Sequence, residues 1–93
     1  MARIRGIKPE FFSDDELGAL SPLTRLFFVG LWTQADRAGR LQDRPARLGA
    51  CLLPYDDCDP DAMLSDLARS GHVVRYEVDG QKLLEIPGFL RHQ

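Results

Sequence analysis

Residues 72–86 read HVVRYEVDGQKLLEI, and this stretch decides the predicted fold. Its first half alternates between apolar and polar residues, which is the period of a strand with one buried face. Asp79-Gly80 is a strong hairpin signal, because both central positions of a type I′ turn need a positive φ. We therefore predict a β-hairpin over 72–87, with a return strand over 81–86. A two-residue turn fixes the cross-strand neighbours, which are Glu77 with Lys82 and Tyr76 with Leu83.

The longest helix is predicted to begin at Ser21-Pro22, with the serine as N-cap and the proline in the first helical position. Residues 36–39 are predicted to close this helix, with Gly39 in the left-handed conformation. The apolar residues recur at three- and four-residue spacing. They are Leu23, Leu26, Phe27, Gly30 and Leu31, with Phe28, Trp32 and Ala35 widening the stripe. Because helical spacing favours packing over a ligand pocket, we assign Trp32 to the core.

A short strand and a second helix follow Gly39. Residues 39–42 suffice only for a short strand, and Asp43 is positioned to cap the next helix. This helix must end before Pro54, because residues that precede proline avoid helical angles. Its shared apolar face consists of Leu48, Cys51 and Leu52.

Two further helices flank these elements. Asp59-Pro60 is a cap-and-proline pair that begins the last helix, and Gly71 ends it. The buried side of that helix is predicted to be Met63, Leu64, Leu67 and Ala68. Near the N-terminus, the spacing of Ser13 and Glu16 matches a capping box and predicts a helix of one or two turns.

Helix, short strand, helix, helix, hairpin is the order of a winged helix-turn-helix. The sequence therefore predicts an α+β fold of three to four helices, with a small antiparallel sheet and a C-terminal hairpin as the wing. The chain has 93 residues, of which 44% are hydrophobic and 28% charged, as expected for one globular domain. We expect a single domain over 1–93, with a basic N-terminal arm over 1–12 and the wing over 72–87.

Four stretches carry a family resemblance: ARIRGIKPEFF at 2–12, LSPLTRLF at 20–27, LWTQADRAGRL at 31–41 and EIPGF at 85–89. They resemble the N-terminal domains of phage and prophage replication-initiation proteins, which are winged helix-turn-helix modules of the replisome-organiser type. The resemblance implies a DNA-binding role in phage replication, within the cytoplasm of a bacterial host cell. In that family a linker and a C-terminal region usually follow, and this chain ends where such a linker begins.

The net charge is -2, but the charges are segregated. The first eight residues contain Arg3, Arg5 and Lys8 and no acid. Residues 37–47 contain four arginines and one acid, Asp43. Residues 56–66 contain five aspartates and no base. The two basic stretches supply the cations that phosphate binding requires.

We predict double-stranded DNA as the partner. Arg3 and Arg5 would enter a minor groove as a flexible arm, with Lys8 on the adjacent backbone. Each of these cations has an equally good interpretation as a solvated charge or a local ion pair, so only the group is informative. The predicted DNA-binding residues are Arg3, Arg5, Lys8, Arg40, Arg44, Arg47, Arg75 and Lys82.

The alternative is a protein–protein interaction module. The last helix presents Asp61 and Asp66, and carboxylates repel phosphates at the position where a helix-turn-helix normally reads DNA. Such a module would act on host replication or defence machinery, including as a phage-encoded inhibitor. Its partner-binding residues would be Asp56, Asp57, Asp61, Asp66 and Arg69. Self-association through the hairpin edge, or through exposed Phe89 and Leu90, is a third possibility.

An enzyme is not expected. The serines are explained as caps or helix surface, and no glycine-rich phosphate loop occurs. Cys51 and Cys58 lack metal-hook spacing, so we predict one buried and one loop thiol, with no metal and no cofactor. No apolar run approaches the roughly 20 residues of a membrane span, and no signal sequence is recognisable, so a cytoplasmic protein without membrane contact is expected.

Overall fold

The computed structural model describes residues 2–89. Within them, four α-helices and three strands follow a 3-10 turn at Pro9–Ser13. The elements in chain order are α1 Asp15–Gly18, α2 Pro22–Gln34, β1 Arg40–Gln42, α3 Pro45–Leu52, α4 Pro60–Arg69, β2 Val74–Val78 and β3 Gln81–Glu85. The predicted α+β class, the antiparallel sheet and the C-terminal hairpin are confirmed. No helix in this part of the chain is long and apolar enough to cross a bilayer.

The three strands form one antiparallel sheet in the order β1-β3-β2. The hairpin has the predicted register, with Glu77 opposite Lys82 and Tyr76 opposite Leu83. Asp79 has φ 50° and Gly80 has φ 80°, the two positive values that a type I′ turn requires. Because β3 lies in the centre, β1 and β2 are the edges of the sheet.

Helix α2 supplies the centre of the core. Trp32 is completely buried, as predicted, and its ring packs edge-on against Phe28 with centroids 5.5 Å apart. Helix α4 contributes Leu64 and Leu67 to the same cluster, and the strand β3 contributes Leu84. This packing holds the sheet against the helices.

Most of the predicted buried stripe of α2 is confirmed, but its first turn differs in one position. Leu26 is 57% exposed, whereas Thr24 is 3% exposed. The buried positions of the helix and its end are Thr24, Phe27, Phe28, Leu31, Trp32 and Ala35. Thr24 is tolerated there because its hydroxyl lies 2.8 Å from the Ser21 hydroxyl, which satisfies a buried polar group.

Two of the predicted helix caps are confirmed and two are wrong. The Ser21 hydroxyl accepts from Thr24 N–H, and the Asp59 carboxylate accepts from Ala62 N–H. Helix α1 is capped by Asp14 instead of Ser13, because residues 9–13 form the 3-10 turn. Asp43 does not cap α3, because its carboxylate binds Arg75.

Two predictions about exposed side chains are also corrected. Cys51 is exposed, so the expected buried thiol is not found; Cys58 is half-buried. Phe89 is 4% exposed and packs into the core, so it is not available for self-association. Leu90 lies outside the described residues.

Candidate nucleic-acid interface

The basic N-terminal arm lies along the C-terminal end of α2. Arg3 N–H donates to the Thr33 carbonyl at 2.8 Å. The Arg5 side chain donates to the carbonyls of Trp32 at 3.1 Å and Ala35 at 3.0 Å. The arm therefore contacts the helix end at two points, and the Arg5 side chain is not free for a minor groove as predicted.

Arg5 occupies this position for a physical reason. The last carbonyls of a helix have no intrahelical partner and carry the negative end of the helix dipole, which attracts a cation. The guanidinium also lies over the ring of Phe89, 5.0 Å from its centroid. Arg5 thus contributes to the fold, whereas Arg3 and Lys8 are exposed.

Arg75 of the predicted wing is bound inside the domain. Its guanidinium donates to both oxygens of Asp43, at 2.7 and 3.0 Å, and to Asp61 Oδ1 at 2.7 Å. It also donates to Ser65 Oγ at 3.1 Å. Hydrogen bonding to Asp43 is the main cause that raises the pKa of Arg75 above its usual value. With these donors occupied, Arg75 joins β2, α4 and the segment after β1.

The same contacts change the charge of α4. Asp61 pairs with Arg75, and Asp66 forms an ion pair with Arg69 one turn along the helix. The expectation that the aspartates of this region lack compensating bases is therefore wrong for these two. Asp56 and Asp57 remain exposed in the loop before α4, and Asp59 serves as its N-cap.

Arg44 and Arg47 meet at an open cavity of about 420 Å³. Pro45 begins α3, so Arg44 stands at its N-terminal end and Arg47 lies three residues further on. Both arginines are exposed, and neither forms an ion pair or side-chain hydrogen bond with any residue in 2–89. The lining residues are Gln34, Leu41, Gln42, Arg44, Arg47, Leu48 and Cys51. We call this feature the Arg44/Arg47 cavity.

The lining of this cavity suits an anion. Its two charged members are arginines, and Gln34 and Gln42 add amide groups that can donate hydrogen bonds. No side-chain cap covers the N-terminus of α3, so the positive end of its helix dipole adds to the charge of Arg44. Guanidinium groups bind phosphate oxygens through two parallel hydrogen bonds. The cavity is therefore able to hold a phosphodiester group.

The two glutamines were missed by the sequence analysis. Gln34 ends α2 and Gln42 ends β1, and only the packing of α3 against these ends brings them beside Arg44 and Arg47. Neither residue carries a sequence signal of its own. A search for polar residues at the ends of predicted elements would have identified both as candidates.

The remaining predicted cations lie elsewhere. The Arg40 side chain on β1 lies 3.5 Å from Glu85 on β3, and the two side chains are 60% and 41% exposed. Lys82 is exposed and lies opposite Glu77 in the hairpin. An exposed cation with a nearby acid offers less net charge to a phosphate, so we do not place Arg40 or Lys82 at the centre of the interface.

A second polar cluster connects the first helix to the end of α4. His72 Nδ1 lies 2.7 Å from Ser70 Oγ, and His72 Nε2 lies 3.4 Å from Asp14 Oδ2. His72 is buried, and its ring packs edge-on against Phe28. Ser70 Oγ donates to the carbonyl of Leu67, and Asp14 caps α1. Since each group stabilises a helix end, the cluster is a structural link between elements.

No group of three histidine, cysteine or acidic side chains is arranged for metal binding within residues 2–89.

Comparison with protein-family models, with curated protein sequences and with solved structures gave no match.

Proposed function

We propose that this chain is a winged-helix DNA-binding domain of the kind that initiates phage replication. Its helices α2, α3 and α4 supply the helical part, β1 lies between the first two, and the β2–β3 hairpin is the wing. The sheet order β1-β3-β2, with the hairpin closing the chain, supports this reading. The four stretches that resemble replication-initiation proteins support it independently.

The Arg44/Arg47 cavity is the observation that carries the proposal. Two exposed arginines without an acidic partner in the described chain share one concavity with two glutamines. In this account Arg44 and Arg47 bind phosphates of the DNA backbone, and Gln34 and Gln42 donate to phosphate or sugar oxygens. Arg3, held by its backbone to Thr33, lies beside the end of α2 that also supplies Gln34, so it extends the basic surface.

The outward face of α4 does not read the major groove in this account. Asp61 and Asp66 lie on that helix, and the one arginine on it is already paired with Asp66. Because α4 offers no free cation on this face, the domain contacts DNA mainly through the start of α3, with Arg3 at the margin. So few phosphate contacts give weak binding to duplex DNA, and the affinity falls as the salt concentration rises.

Fluorescence anisotropy with a labelled random duplex tests this directly. The double variant R44A/R47A should lose most of the binding, because two phosphate contacts are removed. The control is R69A, which deletes another exposed arginine, one that is paired with Asp66 on α4. Loss of binding in R69A with retention in R44A/R47A would move the interface to α4 and contradict the proposal.

One observation favours a second function, that of a protein–protein interaction module. Tyr55 is 98% exposed and is followed by the exposed Asp56 and Asp57. Tyrosine is enriched at the energetic centres of interfaces, and the two acids would fit a basic surface on a host replication or defence protein. Pull-down from a bacterial lysate with the wild type and with Y55A/D56N/D57N tests this. A partner captured equally by both chains would exclude the loop.

A further inference from the structure

The strand β2 leaves one edge of the sheet open. In a two-residue hairpin, the residues that flank the turn form the first hydrogen-bonded pair, here Val78 with Gln81. The pattern then alternates, so Tyr76 and Val74 also bond to β3, whereas the backbone groups of Arg75 and Glu77 point away from it. These groups are the N–H and the C=O of Arg75 and of Glu77. Within residues 2–89 no backbone group forms a hydrogen bond with any of the four.

The outer face of the same strand is apolar. Val74 and Val78 are each 48% exposed, and Tyr76 lies between them on that face, half-buried. The other face carries Arg75 and Glu77. The Arg75 side chain is bound to Asp43 and Asp61. An exposed edge with unpaired backbone groups and apolar side chains is a template for another strand.

A second copy of this strand fits the edge in one register. In an antiparallel pair, the outward backbone groups of Arg75 and Glu77 must face the same groups of the other copy. Three two-fold registers satisfy this condition, and they are centred on Arg75, Tyr76 and Glu77. Centring on Arg75 or on Glu77 overlaps only three residues of each strand, and centring on Glu77 also opposes two carboxylates. Centring on Tyr76 overlaps all five residues and places Arg75 opposite Glu77 of the other copy. It also places Val74 opposite Val78.

We propose that two copies of this chain associate through β2, antiparallel and centred on Tyr76, to form a continuous six-stranded sheet. The contact is isologous, since each copy presents the same edge. It buries Val74 against Val78 of the other copy and Tyr76 against its own counterpart, and it pairs the outward backbone groups of Arg75 and Glu77. The inference does not depend on DNA binding, because none of the residues that line the Arg44/Arg47 cavity takes part.

Disulfide trapping tests the register. Tyr76 meets its own counterpart at a non-hydrogen-bonded position, where Cα atoms are about 4.5 Å apart and a disulfide forms without backbone movement. In a chain that also carries C51S and C58A, Y76C should cross-link spontaneously into a covalent dimer. The control V78C should not, since Val78 lies opposite Val74 and about 13 Å from its counterpart. Equal cross-linking of both variants would overturn the register.

Sedimentation equilibrium of the wild-type chain, without the cysteine substitutions, tests the association itself. The expected species has twice the 10.5 kDa mass of the chain. The variant V74K/V78K opposes two lysines in the register centred on Tyr76, where Val74 meets Val78 of the other copy, so its dimer dissociation constant should rise about tenfold or more. The control V74T/V78T keeps β-branched side chains without added charge and should behave much as the wild type. A wild-type monomer at millimolar concentration, with no Y76C cross-link, would overturn the proposal whether or not the chain binds DNA.

Discussion

The guanidinium of Arg75 donates to both carboxylate oxygens of Asp43, which ties the edge strand β2 to the segment between β1 and α3. The Asp43 side chain is only 5% exposed, so its charge depends on this partner. Arg75 also reaches Asp61 and Ser65 of α4. One arginine therefore fixes the relative positions of three elements, including the start of α3 that carries the proposed DNA contacts.

Removal of Arg75 should destabilise the domain strongly. R75A leaves the buried carboxylate of Asp43 without a partner, which costs about 3 kcal/mol of unfolding free energy. R75K keeps the charge but loses the planar fork, and we expect an intermediate loss. Urea unfolding followed by circular dichroism measures both variants. A loss below about 1 kcal/mol in R75A would show that Asp43 is solvated in solution.

The Asp43–Arg75 pair also shows where sequence reasoning failed. Asp43 precedes a helix beginning with proline, and this local pattern predicted a cap. Its actual partner lies 32 positions away, and no local pattern signals it. No local pattern signals the role of Arg5 either. Its side chain donates to carbonyls at the end of α2 only because the N-terminal arm packs there. The charges were visible in the sequence, but their pairing was decided by tertiary contacts.

Local chemistry, in contrast, predicted most of the elements correctly. Ser21-Pro22 and Asp59-Pro60 begin α2 and α4, and Asp79-Gly80 makes the hairpin turn with its predicted register. One position of the α2 stripe was wrong because hydrophobicity alone favoured Leu26 over Thr24. A threonine that bonds to its own N-cap can occupy a buried position, so Thr24 is buried and Leu26 is exposed.

Gly39 should be sensitive to substitution for two separable reasons. Its φ of +81° is unfavourable for other residues, and an added Cβ would lie 2.7 Å from the Cβ of Phe89. Gly71 has the same φ of +81° but open space around it. G71A should therefore cost about 1 kcal/mol for backbone strain alone, and G39A clearly more. Equal losses in urea unfolding would mean that Phe89 moves aside without cost.

Asp14 should make stability depend on pH in the acid range. Burial acts to raise its pKa, but hydrogen bonds from Leu17 N–H and His72 outweigh this, and the pKa is lowered from 3.8. A lowered pKa in the folded state means that Asp14 stabilises the fold above the unfolded value and that this contribution disappears as pH falls through the folded value.

The measurement is the free energy of unfolding as a function of pH. In the wild type, part of the decrease below about pH 4 should come from Asp14, and D14N should remove that part. D15N, in the exposed first turn of α1, is the matched control. A pH profile of D14N that runs parallel to that of the wild type would contradict the role of Asp14.

Arg5 and Arg3 should separate folding from binding. R5A removes the donors to the carbonyls of Trp32 and Ala35 and should lower the unfolding free energy by about 1.5 kcal/mol. R3A leaves the backbone bond to Thr33 intact and should leave stability unchanged while weakening DNA binding. Thermal unfolding and anisotropy of the two variants measure both effects. If R3A instead lowered the unfolding free energy and bound DNA as tightly as the wild type, Arg3 would serve the fold and not DNA binding.

The salt dependence of DNA binding tests the central claim most directly. Each phosphate contact contributes about 0.9 to the slope of log K against log salt concentration. The account predicts that R44A/R47A lowers the magnitude of this slope by about 1.8, whereas R69A leaves it unchanged. An unchanged slope in R44A/R47A, or no binding of the wild type at low salt, would contradict the assignment of the Arg44/Arg47 cavity to DNA.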